Sequence, residues 1–279
     1  MDYRHIIDYY VKDKWVAEHD EFGHFYREVE SDEVVPSVTT QNIIAKPHLL
    51  HWATKRLAET FYENPDLWEK YVKRQQRKGD SDLNEHLMIA QQMSYIGDRD
   101  DAGNVGTLGH ALIERYIDLW IDTGIKPKDI RDLANERENK EPRAIAVARA
   151  AEESFNKYNI EPIAAEIIVG WKPWNMAGTL DLLVYNHDTK QVELWDHKSS
   201  NSVDDDYARQ AAAYKYMLEK MTDNKIKVGT IRINRLDKWS NKFKEYRVNS
   251  PYQALIAQLA NNKIYHWKND GKKLSLIHI

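Results

Sequence analysis

Between Ala165 and His197 the chain carries three short apolar runs, Ala165 to Trp171, Gly178 to Tyr185 and Gln191 to His197. Only Asn186-His187-Asp188-Thr189 separates the last two. Runs of this length, rich in Val, Ile and Leu and bounded by turn-forming residues, read as strands, and the Asn/Asp-rich turn joins the last pair as a hairpin. A helical pattern follows over about Asp205 to Lys220. Strand-like runs come next at Lys227 to Asn234 and Phe243 to Val248, then a closing helix over 251 to 268. This order predicts an α/β fold with a central mixed sheet flanked by helices, occupying the second half of the chain.

The first half reads differently. Residues 1 to 35 suggest a hairpin turning at Phe22-Gly23-His24, and Pro36-Ser37-Val38-Thr39-Thr40 reads as a helix start with hydroxyls to cap free amides. Helices are expected to follow through residue 100, with Leu49, Leu50, Trp52, Ala53, Leu57 and Phe61 as a core-facing stripe. Gly97, Gly103, Gly106 and Gly109 among aspartates mark a loop that ends at a helix running to about Thr123, and a further helix spans Arg143 to about Tyr158. The organisation is therefore a hairpin and helical region over 1–100, a core over 101–270, and a tail over 271–279 that stands outside the functional argument.

Composition limits the chemistry. With no cysteine among 279 residues, thiolate metal sites and iron-sulfur clusters are excluded, and any metal must take oxygen and imidazole ligands, which favours Mg²⁺ or Mn²⁺. No run reaches the roughly 18 apolar residues of a membrane span, and the N-terminus lacks a signal core, so a soluble cytoplasmic protein with no membrane partner is expected. The net charge of −4 leaves room only for a local basic groove. Basic clusters occur at Lys70, Lys73, Arg74, Arg77 and Lys78, which reads as a solvated helix face, and at Lys225, Lys227, Arg232 and Arg235.

Within the strand-like runs, Asp181 lies in Gly178-Thr179-Leu180-Asp181, and Asp196-His197-Lys198 closes the third run. Side chains alternate along a strand, so Asp196 and Lys198 share one face and His197 takes the other. In an antiparallel hairpin Asp181 reaches the face of Asp196, and two carboxylates can then hold one divalent cation, with the His197 main-chain carbonyl as a further oxygen ligand in place of its imidazole. A lone Asp-x-Lys is usually a surface ion pair. The upstream Gly-x-x-Asp strand at hairpin distance distinguishes this one.

Taken with Gln210-Ala211-Ala212-Ala213-Tyr214, these residues resemble the PD-(D/E)XK nuclease superfamily in its RecB-like exonuclease branch, which includes phage exonucleases and the mitochondrial genome maintenance exonuclease. The resemblance covers roughly residues 35 to 220. It extends to Gly106-Thr107-Leu108-Gly109-His110, where the family's upstream helix supplies a metal-binding histidine, and to Glu166 on the strand before the Gly-Asp strand. Val35-Pro36-Ser37-Val38-Thr39-Thr40 is similar to the opening segment of many members. Glu114, one turn after His110, reads as a salt-bridged helix residue in preference to a supporting contact behind the metal ligands.

The resemblance implies a restriction-endonuclease-like core with a largely helical N-terminal half. It also implies a Mg²⁺- or Mn²⁺-dependent exonuclease, phage- or bacterium-encoded, acting on single-stranded or frayed DNA ends in replication, recombination or repair. His110, Asp181, Asp196 and the His197 carbonyl would hold metal. Glu166 would assist, Lys198 would position the nucleophile, and Gln210 and Tyr214 would support the site or contact the strand. The helical half would arch over the cleft and select free ends, beside a single-strand annealing or replication protein as partner. Two other readings stand beside it: a non-catalytic nucleic-acid-binding recombination partner, and a structure-specific endonuclease of the same fold. Ser199 stands where a threonine is common in the family, and no G-x-x-x-x-G-K-S/T loop for ATP-driven unwinding is present.

Overall fold

The computed structural model describes residues 2–20, 23–41, 47–67, 69 and 90–269. The basic cluster Lys70 to Lys78 and the tail 271–279 lie outside the described residues. The chain forms two compact units, one of Met1–Ile43 with Leu108–Ile279 and the other of Ile44–Thr107.

The larger unit opens with α1 (Tyr3–Tyr10), whose first turn is capped by the Asp2 carboxylate accepting from the His5 amide. This helix lies within the segment 1–35, whose aromatic and β-branched residues suggest a hairpin. Its Tyr and Ile residues favour strands, but the cap and the burial of Ile6 and Ile7 outweigh that preference. The expected hairpin follows as β1 (Trp15–Asp20) and β2 (Gly23–Glu28), extended by β3 (Val34–Pro36) into a three-stranded antiparallel sheet.

Ser37 does not start a helix; it forms an isolated parallel bridge to Ala177, and the Val38 amide donates to the Ala177 carbonyl at 2.8 Å. Its capping chemistry closes a turn instead, with Ser37 Oγ accepting from the Thr40 amide at 2.8 Å. Trp15, Tyr26, Val35 and Ala177 form a small core beneath this sheet. Gly170 makes their approach possible, since a Cβ there would lie 2.3 Å from the Trp15 ring.

The smaller unit contains α2 (Pro47–Glu63), a kinked turn at Gln92–Ile96 and the start of α3 (Gly97–Thr123). Trp52 is 38% exposed and meets Tyr95 edge-on, so the expected core stripe is only partly buried there. The glycine-rich segment 97–109 is helix rather than loop. Asp98 and Asp100 in the first turn complement the helix dipole.

α4 (Glu136–Asn139), closed by an Asn135/Glu138 capping box, and α5 (Pro142–Lys157) come next in the larger unit. Gly109 is explained by α5, because a Cβ on Gly109 would lie 2.7 Å from Val147 Cγ1. That glycine marks a close helix contact, not a break.

The principal sheet has the order β4-β5-β6-β7-β8: β4 (Ile160–Trp171), β5 (Met176–Asn186), β6 (Gln191–Lys198), β7 (Val228–Leu236) and β8 (Phe243–Arg247). Only the β6–β7 pair is parallel, joined across α6 (Asp205–Met221), and α7 (Pro251–Asn269) follows β8. The fold is α/β, with a five-stranded mixed sheet beside the three-stranded one.

β6 separates the two faces of this sheet. Val192 and Leu194 join Ala211, Ala213, Met217 and Leu218 of α6 in the main core. Trp195 and His197 turn toward α5, where Phe155 stacks on Trp195 at 6.1 Å and meets the His197 ring edge-on at 5.7 Å.

On the α5 face a buried ion pair joins β6 to β7. Arg232 Nε and Nη2 donate to the Glu193 carboxylate at 2.6 and 3.1 Å, Nη1 donates to Glu245 at 2.5 Å, and the guanidinium lies 4.4 Å from the Tyr158 ring centre. Glu193 also accepts from Trp195 Nε1 and Asn186 Nδ2. Arg232 is therefore a core residue, and the expected basic surface cluster that included it is corrected: two carboxylates across the sheet bury its charge. Removing one partner of a buried pair strands the other. Glu193→Ala is expected to lower unfolding free energy by about 3 kcal/mol, measured by urea denaturation, whereas an apolar replacement of both Glu193 and Arg232 should cost much less.

Candidate functional site

Strand register builds the site. β4 pairs with β5 so that Ala165 faces Leu182 and Ile167 faces Leu180, with Glu166 and Asp181 between those pairs where the ladder is interrupted. β5 pairs with β6 as far as Leu182 opposite Trp195, and Asp181 and Asp196 lie just beyond that last pair. Three carboxyl groups thus come from three neighbouring strands in a row, spaced about 4.8 Å apart, and each of Glu166 and Asp196 lies in the field of Asp181.

Glu166 holds its place with a left-handed backbone, φ 47°, a conformation that costs a non-glycine residue on the order of 1 kcal/mol. Strain of this kind concentrates where a side chain must be aimed.

The ladder between β5 and β6 stops at the acids. Beyond Leu182 and Trp195 the His197 amide donates to Asp181 Oδ2 at 2.7 Å, so the carboxylate takes over where strand pairing ends. Asp196 is fully buried, with Oδ1 accepting from Lys198 Nζ at 2.8 Å and Oδ2 buried without a hydrogen-bond partner. The Lys198 ammonium also lies 5.3 Å from the Tyr207 ring centre. The His197 imidazole points into the α5 aromatics. Burial pushes its pKa down to about 3 against the opposing pull of Asp181, which leaves the ring neutral at pH 7.

Electrostatics tie the row together. Burial, then the neighbouring Asp181, raises Glu166 to about 8. Burial raises Asp196 to about 7 against the pull of Lys198. Burial also opposes ionisation of Asp181, but Lys198 and His110 outweigh it and hold its pKa below the ordinary aspartate value. For Lys198, burial disfavours the ammonium, while Asp196 and Asp181 more than offset that and raise its pKa. Burial lowers His110 despite Asp181, so its imidazole is neutral at pH 7.

Glu114, one turn further along α3, has no ion pair among the described residues. Burial, then Asp118, raises its pKa, and Glu166 lies within its field. This corrects the expectation of a salt-bridged residue.

α6 supplies the far wall. Gln210 Nε2 donates to the Tyr214 hydroxyl at 2.6 Å, and both lie on one helix face because they are four residues apart. Tyr214 crosses directly over Gly178, where a Cβ would lie 2.4 Å from the ring. The glycine of Gly-x-x-Asp therefore serves the packing of this tyrosine.

Two further residues belong to the site. Tyr207 was legible in principle, since it precedes Gln210 by three and Tyr214 by seven and so shares their face. Tyr26 left no local signal. It arrives from the N-terminal sheet, with its hydroxyl 3.0 Å from Thr179 Oγ1, and lies within the field of Glu166.

Among the described residues, no three His, Asp or Glu side chains converge as a ready-made set of metal ligands. The donor types nevertheless suit a hard divalent cation: the carboxyl groups of Asp181 and Asp196, a neutral imidazole at His110, and the orphaned Asp196 Oδ2. A scan against protein-family models and a search of curated proteins return no match to this chain.

Two outcomes test this geometry without reference to catalysis. Glu166 has a folded pKa above its unfolded value, so its contribution to stability is complete below about pH 4 and is lost as pH rises through about 8. Glu166→Gln should therefore raise the melting temperature of the metal-free protein at pH 9 by about 2–4 °C and leave it unchanged near pH 4. Gly178→Ala should destabilise by about 1–3 kcal/mol through overpacking against Tyr214, read by thermal melting.

Proposed function

We propose that this protein is a Mg²⁺- or Mn²⁺-dependent exonuclease with a restriction-endonuclease-like core, hydrolysing phosphodiester bonds at single-stranded or frayed DNA ends. The observation that carries the reading is the convergence of Asp181, Asp196 and Lys198, tied by the His197 amide on Asp181 and the Lys198–Asp196 pair, with Glu166 and the Gln210–Tyr214 pair within their field. The resemblance of these positions to the RecB-like exonuclease branch supports it.

Asp181 and Asp196 would hold the cation, with His110 and the His197 carbonyl completing the set. A divalent ion in such a set supplies Lewis acidity toward a phosphoryl oxygen and acidifies water at neutral pH. The remaining chemistry belongs to the chain. Lys198, kept protonated by Asp196 and Asp181, offsets negative charge that develops on the phosphoryl group and orients the attacking water. The raised pKa of Glu166 gives it a proton to exchange near neutral pH, as a water-linked acid or base requires. Gln210 fixes the Tyr214 hydroxyl, and Tyr214 over Gly178 excludes bulk water from that side of the acids. The buried His197 ring anchors β6 against α5, which keeps Asp196 and Lys198 from rotating out of register.

Asp181→Ala, Asp196→Ala and Lys198→Ala are each expected to abolish divalent-dependent degradation of end-labelled single strands. Gln210→Ala should reduce it by about 10- to 100-fold, the effect of losing a supporting contact. Circular single-stranded DNA should survive. Cutting of circles would make the enzyme an endonuclease, and wild-type rates in the Asp181 and Asp196 variants would remove the catalytic reading.

A further inference from the structure

The face that bears Asp196 and Lys198 continues beyond the acids as a second row. β6 runs parallel to β7 with Lys198 opposite Arg235, and β7 runs antiparallel to β8 with Arg235 opposite Lys244. Paired residues share a face, so Lys198, Arg235 and Lys244 stand level across three strands, two residues along β6 from Asp196. Arg235 is held in place by donating to the Asn201 carbonyl at 3.2 Å, and it lies 3.8 Å from Asp237. The Lys244 side chain is exposed and lies over Tyr246, 5.2 Å from its ring centre.

The turn from β7 to β8 projects from this same end of the sheet, and its shape is set by its own hydrogen bonds. Asp237 Oδ1 accepts from the Trp239 amide at 2.8 Å and the Ser240 amide at 3.0 Å. The Asp237 amide donates to the Lys242 carbonyl at 2.9 Å, and Asn241 takes a left-handed φ of 56°. At the tip Trp239 is 72% exposed, with Lys238 and Lys242 close in sequence and the Arg143 guanidinium 5.8 Å from its ring centre. A tryptophan presented to solvent on a fixed turn among cations serves no core. Trp239 is four residues from Arg235, so it lies no further than about 13 Å from the cationic row.

We propose that Arg235, Lys244 and Trp239 form a subsite for single-stranded nucleic acid adjoining the acid row. Arg235 and Lys244 neutralise backbone phosphates, and an unpaired base stacks on the Trp239 indole. Every base has a π-face, so this subsite is tolerant of sequence, and it discriminates against duplex because stacked neighbours cover those faces there. Its orientation toward Asp196 rests on the nuclease reading above; the binding itself does not.

The test is fluorescence anisotropy with a labelled oligothymidylate of about 12 nucleotides, spanning one such site, and with the matching duplex, both in EDTA so that binding is separated from cleavage. Trp239→Ala should weaken single-strand binding about 10-fold with an unchanged melting temperature, while Trp239→Phe should retain most of the affinity. Lys244→Ala should reduce the slope of log affinity against log salt by about 0.7, the value for one phosphate contact on a single strand. Equal affinity of wild type and Trp239→Ala, equal binding of duplex and single strand, or no binding by wild type overturns the subsite. Cleavage assays on the same preparations separate the two readings. A Trp239-dependent affinity without divalent-dependent cleavage keeps the subsite and removes the nuclease; cleavage with unaltered Trp239→Ala affinity does the reverse.

Discussion

Everything at the candidate site depends on where the β5–β6 ladder stops. Main-chain pairing ends at Leu182 and Trp195, and one step further the Asp181 carboxylate, not a carbonyl, receives the His197 amide. Substituting a side chain for a backbone acceptor lets the strands part while leaving no amide unpaired, and it pins Asp181 at the level of Asp196. Two carboxylates brought together in a buried place repel each other, and Lys198 makes their proximity tolerable by pairing with Asp196 and lying within the field of Asp181.

The two faces of the sheet divide the work. On the α5 side, β6 is secured by apolar and ionic contacts: Trp195 and His197 against Phe155, and Glu193 with Arg232. On the α6 side the same strand presents Asp196 and Lys198. Alternation along one strand therefore couples a rigid anchor to a polar site, residue by residue. The orphaned Asp196 Oδ2 lies on the polar side, where fold stability and chemical poise conflict most directly.

The strands β4 to β8 and the helices α5, α6 and α7 were legible because their periods and turn residues are strong and local. Asp196 and Lys198 on one face, and Gln210 with Tyr214 on one helix side, follow from periodicity alone. The failures share a cause as well. Gly97 to Gly109 reads as loop because glycine weakens an isolated helix, yet Gly109 is required where α3 meets Val147. Arg232 reads as surface because a charged residue is costly to bury, yet Glu193 and Glu245 offset that cost from positions distant in sequence.

The amino-acid sequence by itself determined that the centre of the chain is a hairpin-containing α/β sheet, and which side chains on each element point together, since both rest on short-range periodicity and turn chemistry. Tertiary structure alone decided that Glu166 comes into the field of Asp181 through a strained backbone, that Tyr26 reaches Thr179 from the N-terminal sheet, and that Lys198, Arg235 and Lys244 form one level. Those relations require register between strands far apart in the chain, and register is chosen by the packing of whole faces, not by any local run of residues.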